Sequence, residues 1–173
     1  MTLVVLTGAS GAGKTVIARA FAALHPDEAE VHHFDSIGVP TVERMIAEHG
    51  SGDEWQRAMT IGWLARLAER VKAGRATLLE GQMRPSFVAE AARTAGLDDY
   101  HLILVDCDDT TRCRRLRDER NQPELAGPDM LSWAAFLREA AEREGLATLD
   151  TSSRSLAESV AFVLAAFRPN ASE

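Results

Sequence analysis

Residues 8–15 read GASGAGKT and follow directly on a short apolar run, TLVVLT, at 2–7. An apolar run that passes into G-x-x-x-x-G-K-T and then into VIARAFAAL predicts a strand, a phosphate-binding loop and a helix, in that order. Glycines at 8, 11 and 13 let the backbone curl with its N–H groups pointing inward, where phosphate oxygens can accept from them. A helix beginning near Gly13 adds a field that favours anions. Gly8, Ser10, Gly11, Ala12, Gly13, Lys14 and Thr15 are therefore the expected nucleotide cradle. Lys14 should reach the β- and γ-phosphates and the Thr15 hydroxyl should bind Mg²⁺, which makes ATP and Mg²⁺ the expected cofactors. A glycine-rich turn with no ligand is the weaker alternative.

The remaining chain extends this pattern. Further apolar runs at 31–35 (VHHFD), 76–80 (ATLLE), 100–106 (YHLILVD) and 146–150 (LATLD) have strand length. Several are continuously apolar, as expected where both faces of a sheet are covered. Between them lie helical stretches: Trp55, Met59, Trp63, Leu67 and Val71 recur every four residues, and Leu156, Val160, Val163, Leu164 and Phe167 form a second stripe. Strands alternating with helices predict an α/β fold, a parallel sheet between two helical layers. Ligands then bind at the carboxyl ends of the strands. With no repeat and no long linker, residues 1–173 read as a single domain.

Charge and cysteine content narrow the partners. The formal net charge is −7, with no separate basic tract, which argues against nucleic acid because phosphate-backbone binding needs a basic footprint. Cys107 and Cys113 are too few for a disulfide framework and lack metal spacing, so they read as reduced thiols of a cytoplasmic protein. No apolar stretch is long enough for a membrane span.

A parallel sheet brings the strand ends to one edge, and acids stand at several of them. Asp35 ends the second strand, Glu80 ends the third, Asp106 and Asp108 end or follow the fourth, and Asp150 ends the fifth. Asp35 could accept the proton of an attacking hydroxyl or simply suit a turn. Glu80, which opens EGQMRP, could hold Mg²⁺. Arg84 could clamp an acceptor phosphate or carboxylate. In RCRRLRDER, 112–120, the pairs Arg114–Asp118 and Arg115–Glu119 have the i,i+4 spacing of a solvated helix. Cys113, Leu116 and Arg120 share one face, which puts Arg120 on the packed side, poised to close over phosphates. Arg57 lies off the tryptophan stripe and is a candidate for the substrate. Trp55, Trp63 and Trp133 read as core, and His32 and His33 as packing or surface residues on opposite faces of their strand.

Taken together, the loop GASGAGKT, FDS, EGQMRP, the arginine-rich helix and LDTSS resemble the small P-loop kinases, a group that includes nucleoside monophosphate, shikimate and gluconate kinases and chloramphenicol phosphotransferase. The resemblance implies a sheet order of 2-3-1-4-5, an acceptor-binding region over 36–75 and a short lid over 121–129. It makes Asp35 the residue that activates the acceptor hydroxyl, and Arg84 the match to a phosphate-binding arginine. Arg115 matches the nucleotide-side arginine that precedes Leu in the same helix. The chain departs from these patterns as well. Gln122 stands where shikimate kinases carry a lid arginine, Ile37 replaces the second acid of an Asp-x-Asp motif, and EGQ replaces a triple glycine. The expectation is transfer of the γ-phosphoryl of ATP to a small acceptor, a hydroxyl before a phosphate. Lys14, Asp35 and Arg120 would be catalytic, Arg57 and Arg84 would assist at the acceptor, and Thr15 and Glu80 would hold the metal. A nucleoside monophosphate kinase and an ATP-hydrolysing switch are the alternatives.

Overall fold

A computed structural model describes residues 2–168. Five strands form one sheet: β1 (Leu3–Thr7), β2 (Glu30–His33), β3 (Thr77–Glu80), β4 (Tyr100–Asp106) and β5 (Ala147–Asp150). Their order is β2-β3-β1-β4-β5, and every pairing is parallel. This is the order that the resemblance implied. Seven helices accompany them: α1 (Lys14–Leu24), α2 (Val42–His49), α3 (Gly52–Lys72), α4 (Pro85–Ala95), α5 (Asp109–Arg114), α6 (Pro128–Glu144) and α7 (Leu156–Ala165).

Residues of β1 show why the runs are continuously apolar. Leu3 and Val5 join Trp63, Leu64 and Leu67 of α3 and Val88 and Ala91 of α4. Val4 and Leu6 point the other way, to Ile17, Ala18 and Phe21 of α1 and Val160 and Val163 of α7. Alternate side chains thus enter opposite layers, and neither face is left for polar residues. A third cluster seats Ala134, Leu137 and Ala141 of α6 against Leu104 of β4. Among the described residues, no helix is long and apolar enough to cross a membrane.

Three local expectations are corrected. The second strand stops at His33, and Asp35 lies in a 3₁₀ turn, Phe34–Ile37, rather than at the strand end. Trp133 is only half-buried, stacked on Phe136 at 5.3 Å. The arginine-rich helix does not stay α-helical: α5 runs into a π-helical turn, Arg115–Glu119. The wider turn changes the phase of everything after it. Arg114 therefore pairs with Glu119, five residues on, instead of Asp118. Arg120 leaves the packed face and is exposed.

Candidate active site

The register of three strands assembles the site. Leu6 of β1 lies beside Glu80 of β3, and Glu80 lies beside His33 of β2. Adjacent residues in a parallel register project to the same side of the sheet. Glu80 therefore stands next to the loop that leaves β1, with His33 as its lateral neighbour. Gly8, where the loop begins, is required by crowding: a Cβ there would lie 2.1 Å from the Val105 carbonyl oxygen. Helix α1 opens at Lys14, so the first-turn N–H groups have no partner within the helix and face the cradle.

The polar groups at this mouth are few and mutually engaged. Thr15 Oγ1 is 3.2 Å from both carboxylate oxygens of Glu80, and His33 Nδ1 is 2.7 Å from Glu80 Oε1. Glu80 itself is buried. Lys14 is buried as well and donates to the Ala9 carbonyl at 3.2 Å. Burial pushes its ammonium down to about 8, against the opposing pull of Glu80 and Asp35. Asp35 is open to solvent on one side, yet desolvation by the surrounding protein lifts its carboxyl above the ordinary 3.8. The charge of Glu80 adds to the lift, while Lys14 and Arg120 oppose it. Asp35, Lys14, Glu80 and Arg120 thus share one electrostatic neighbourhood.

Thr15 and Glu80 supply hard oxygen donors within 3.2 Å of one another, a donor set that fits Mg²⁺ shared with phosphate oxygens and water. Among the described residues no group of three or more His, Cys, Asp or Glu side chains is arranged as a metal cage.

The arginines divide by partner. Arg112 is fully buried, paired with Asp106, and donates to the Ser10 carbonyl at 2.7 Å. Arg115, expected beside the nucleotide and free to pair with Glu119, instead donates to Gly11 O at 3.3 Å and to Thr151 Oγ1 and O at 2.8 Å. Both side chains brace the phosphate loop from behind. Arg57 spends its fork on Glu90 of α4, with Nε to Oε2 at 2.8 Å. Arg84 holds Asp53 at 2.8 and 2.9 Å and lies over the rings of Trp133 and Phe136. The other strand-end acids are structural: Asp106 takes Arg112 and Arg138, Asp108 caps α5, and Asp150 accepts from Ser152.

Two site residues escaped the sequence. His33 looked like a packing residue, and only the strand register shows that it holds Glu80. Gln82 donates to Ser10 Oγ at 3.0 Å across the loop. Its place two residues after a strand-end acid was the only signal.

This sheet order, with a glycine-rich loop at the end of its central strand, is the fold of the small P-loop kinases. No family model and no curated protein matches the chain by sequence. Solved structures do match in fold. A sugar kinase from Janibacter sp. HTCC2649 superposes with a TM-score of 0.71 at 17% identity, over 95% of this chain and 93% of that one. A gluconokinase from Sinorhizobium meliloti 1021 gives 0.61 at 19%, over 96% and 91%. Shikimate kinase from Acinetobacter baumannii, in complex with shikimate, gives 0.62 at 17%, over 94% and 90%.

Proposed function

We propose that the protein is an ATP- and Mg²⁺-dependent phosphotransferase that moves the γ-phosphoryl group to a hydroxyl of a small acceptor. The observation that carries this reading is the convergence of Lys14, Thr15 and Glu80 with Asp35 at the mouth of the phosphate loop. The kinase neighbours in fold support it.

In this reading the loop backbone and Lys14 bind the phosphates and neutralise their charge. Thr15 and Glu80 hold Mg²⁺, which when bound offsets negative charge on the transferring group. His33 fixes the Glu80 carboxylate. Asp35 accepts the proton of the acceptor hydroxyl, and its raised pKa brings it nearer to the working pH of a general base. Arg120, whose charge acts on Lys14 and Asp35, would close over the phosphates. A phosphate acceptor is disfavoured, because Arg57 and Arg84 are already committed to Glu90 and Asp53.

Incubation with γ-labelled ATP and a metabolite extract tests the reading. The expected result is label in a small organic product, abolished in Lys14→Ala. Label appearing only as inorganic phosphate would point instead to a hydrolytic switch.

A further inference from the structure

Beyond Asp35 the 3₁₀ turn runs on to Ile37, and the chain continues through Gly38, Val39 and Pro40. These residues, with Trp55 and Met59 of α3 and one side of α2, line a cavity of about 380 Å³. That volume falls at the small end of ligand pockets, roughly 300–1,000 Å³. Phe34, which precedes Asp35, meets Trp55 edge-on at 6.0 Å, so the catalytic turn and the cavity share a wall.

Ile37, Val39, Pro40, Trp55 and Met59 supply apolar side chains to a lining that also carries polar groups. Arg44 and Glu48, one helical turn apart and both exposed, pair with each other at 2.7 Å. His49 is the one other titratable group in the lining. Ile37 is 42% exposed and Val39 55%, and Val42 and Ile46 of α2 extend the apolar surface around them, at 63% and 54%. The two arginines that could have entered from α3 and the β3–α4 loop are taken: Arg57 by Glu90 and Arg84 by Asp53. Against a carboxylate or phosphate on the acceptor the lining offers one cation, Arg44, and the Glu48 carboxylate beside it repels the same anion. An apolar body would gain by covering the exposed side chains.

We infer that the acceptor is an uncharged alcohol with an apolar body, seated against Ile37, Val39, Pro40, Trp55 and Met59 with its hydroxyl toward Asp35. This rests on the phosphotransferase reading and names the substrate class within it. Ile37 and Val39 are then specificity-determining residues.

The test has a binding arm and a transfer arm. Protein saturated with ADP and Mg²⁺ is titrated calorimetrically with a set of arylalkyl and alicyclic alcohols, with glycerol and with gluconate. The same compounds are then offered with γ-labelled ATP. The best neutral apolar alcohol should bind at least about tenfold more tightly than gluconate or glycerol, and Ile37→Asn or Val39→Asn should weaken it about tenfold. Thermal unfolding checks that each variant folds. Preferred binding or labelling of gluconate or glycerol overturns the inference. So does failure of every apolar alcohol to bind, or equal binding by wild type and both variants. Binding of an apolar alcohol that depends on Ile37 and Val39, without label transfer, supports the pocket and defeats the phosphotransferase reading instead.

Discussion

At Asp35 one carboxylate meets two opposed demands. Desolvation and the Glu80 charge raise its pKa, which suits a base but penalises the ionised form. Native protein therefore holds the proton more tightly than the unfolded chain does. The stability contributed by Asp35 is complete below the unfolded value of 3.8 and is lost as pH rises through the higher folded value. We expect Asp35→Asn to melt slightly higher than wild type at neutral pH, with the difference vanishing near pH 3. Turnover should fall ~10²–10⁴-fold, the usual loss for a general base. A defect that shrinks as Mg²⁺ is titrated would assign Asp35 to the metal instead, and near-normal turnover would leave it a turn residue. Lys14 gives a complementary sign. Its ammonium is held down to about 8, and bound triphosphate should restore the proton. ATP binding near pH 9 is therefore expected to take up close to one proton, read as the dependence of calorimetric enthalpy on buffer ionisation. Absence of uptake would place the phosphates away from Lys14.

Among the elements, α5 and its π turn carry the most chemistry per residue. Buried Arg112 joins Asp106 to the Ser10 carbonyl, so it ties the end of β4 to the phosphate loop. Arg112→Met leaves Asp106 with Arg138 alone and the Ser10 carbonyl without its donor, so it should destabilise the fold by about 1–3 kcal/mol, measured by denaturant unfolding. Arg120 should behave otherwise. It is exposed, and its charge acts on Lys14 and Asp35. Arg120→Ala should leave stability almost unchanged and lower turnover more than ATP affinity, as a group acting mainly in the transition state does. Equal turnover in the two proteins would return Arg120 to the solvent. Contrasting outcomes from residues eight apart on one segment would show where the brace ends and the moving part begins.

On the scale of the whole molecule, the ends of β2 and β3 must close on each other for Asp35 to face the loop. Gly81 permits this: a Cβ there would come within 2.4 Å of Phe34 Cβ. Gly81→Ala should push the Phe34–Ile37 turn outward. The expected cost is about 1–3 kcal/mol from overpacking, together with a loss of turnover larger than the loss of ATP affinity. Unchanged turnover in a stable Gly81→Ala protein would show that the turn tolerates displacement, and would weaken the placement of Asp35.

The sequence alone determined the loop, the alternation of strands and helices, and the burial of Trp55 and Trp63. Glycine geometry and hydrophobic period are local properties, written in neighbouring residues. The resemblance to known kinases added the strand order. Tertiary structure decided which charged groups are available for chemistry. His33 acquires a role only because the β2–β3 register sets it beside Glu80, and one residue of slip would turn it to the other face. Arg57 and Arg84 looked free because Glu90 and Asp53 lie 33 and 31 residues away along the chain. A strict helical period puts Arg120 on the packed face, but the segment widens into a π turn and turns it to solvent. Ion pairs between distant residues and a change of helical phase leave no local trace, so they became visible only once the chain had folded.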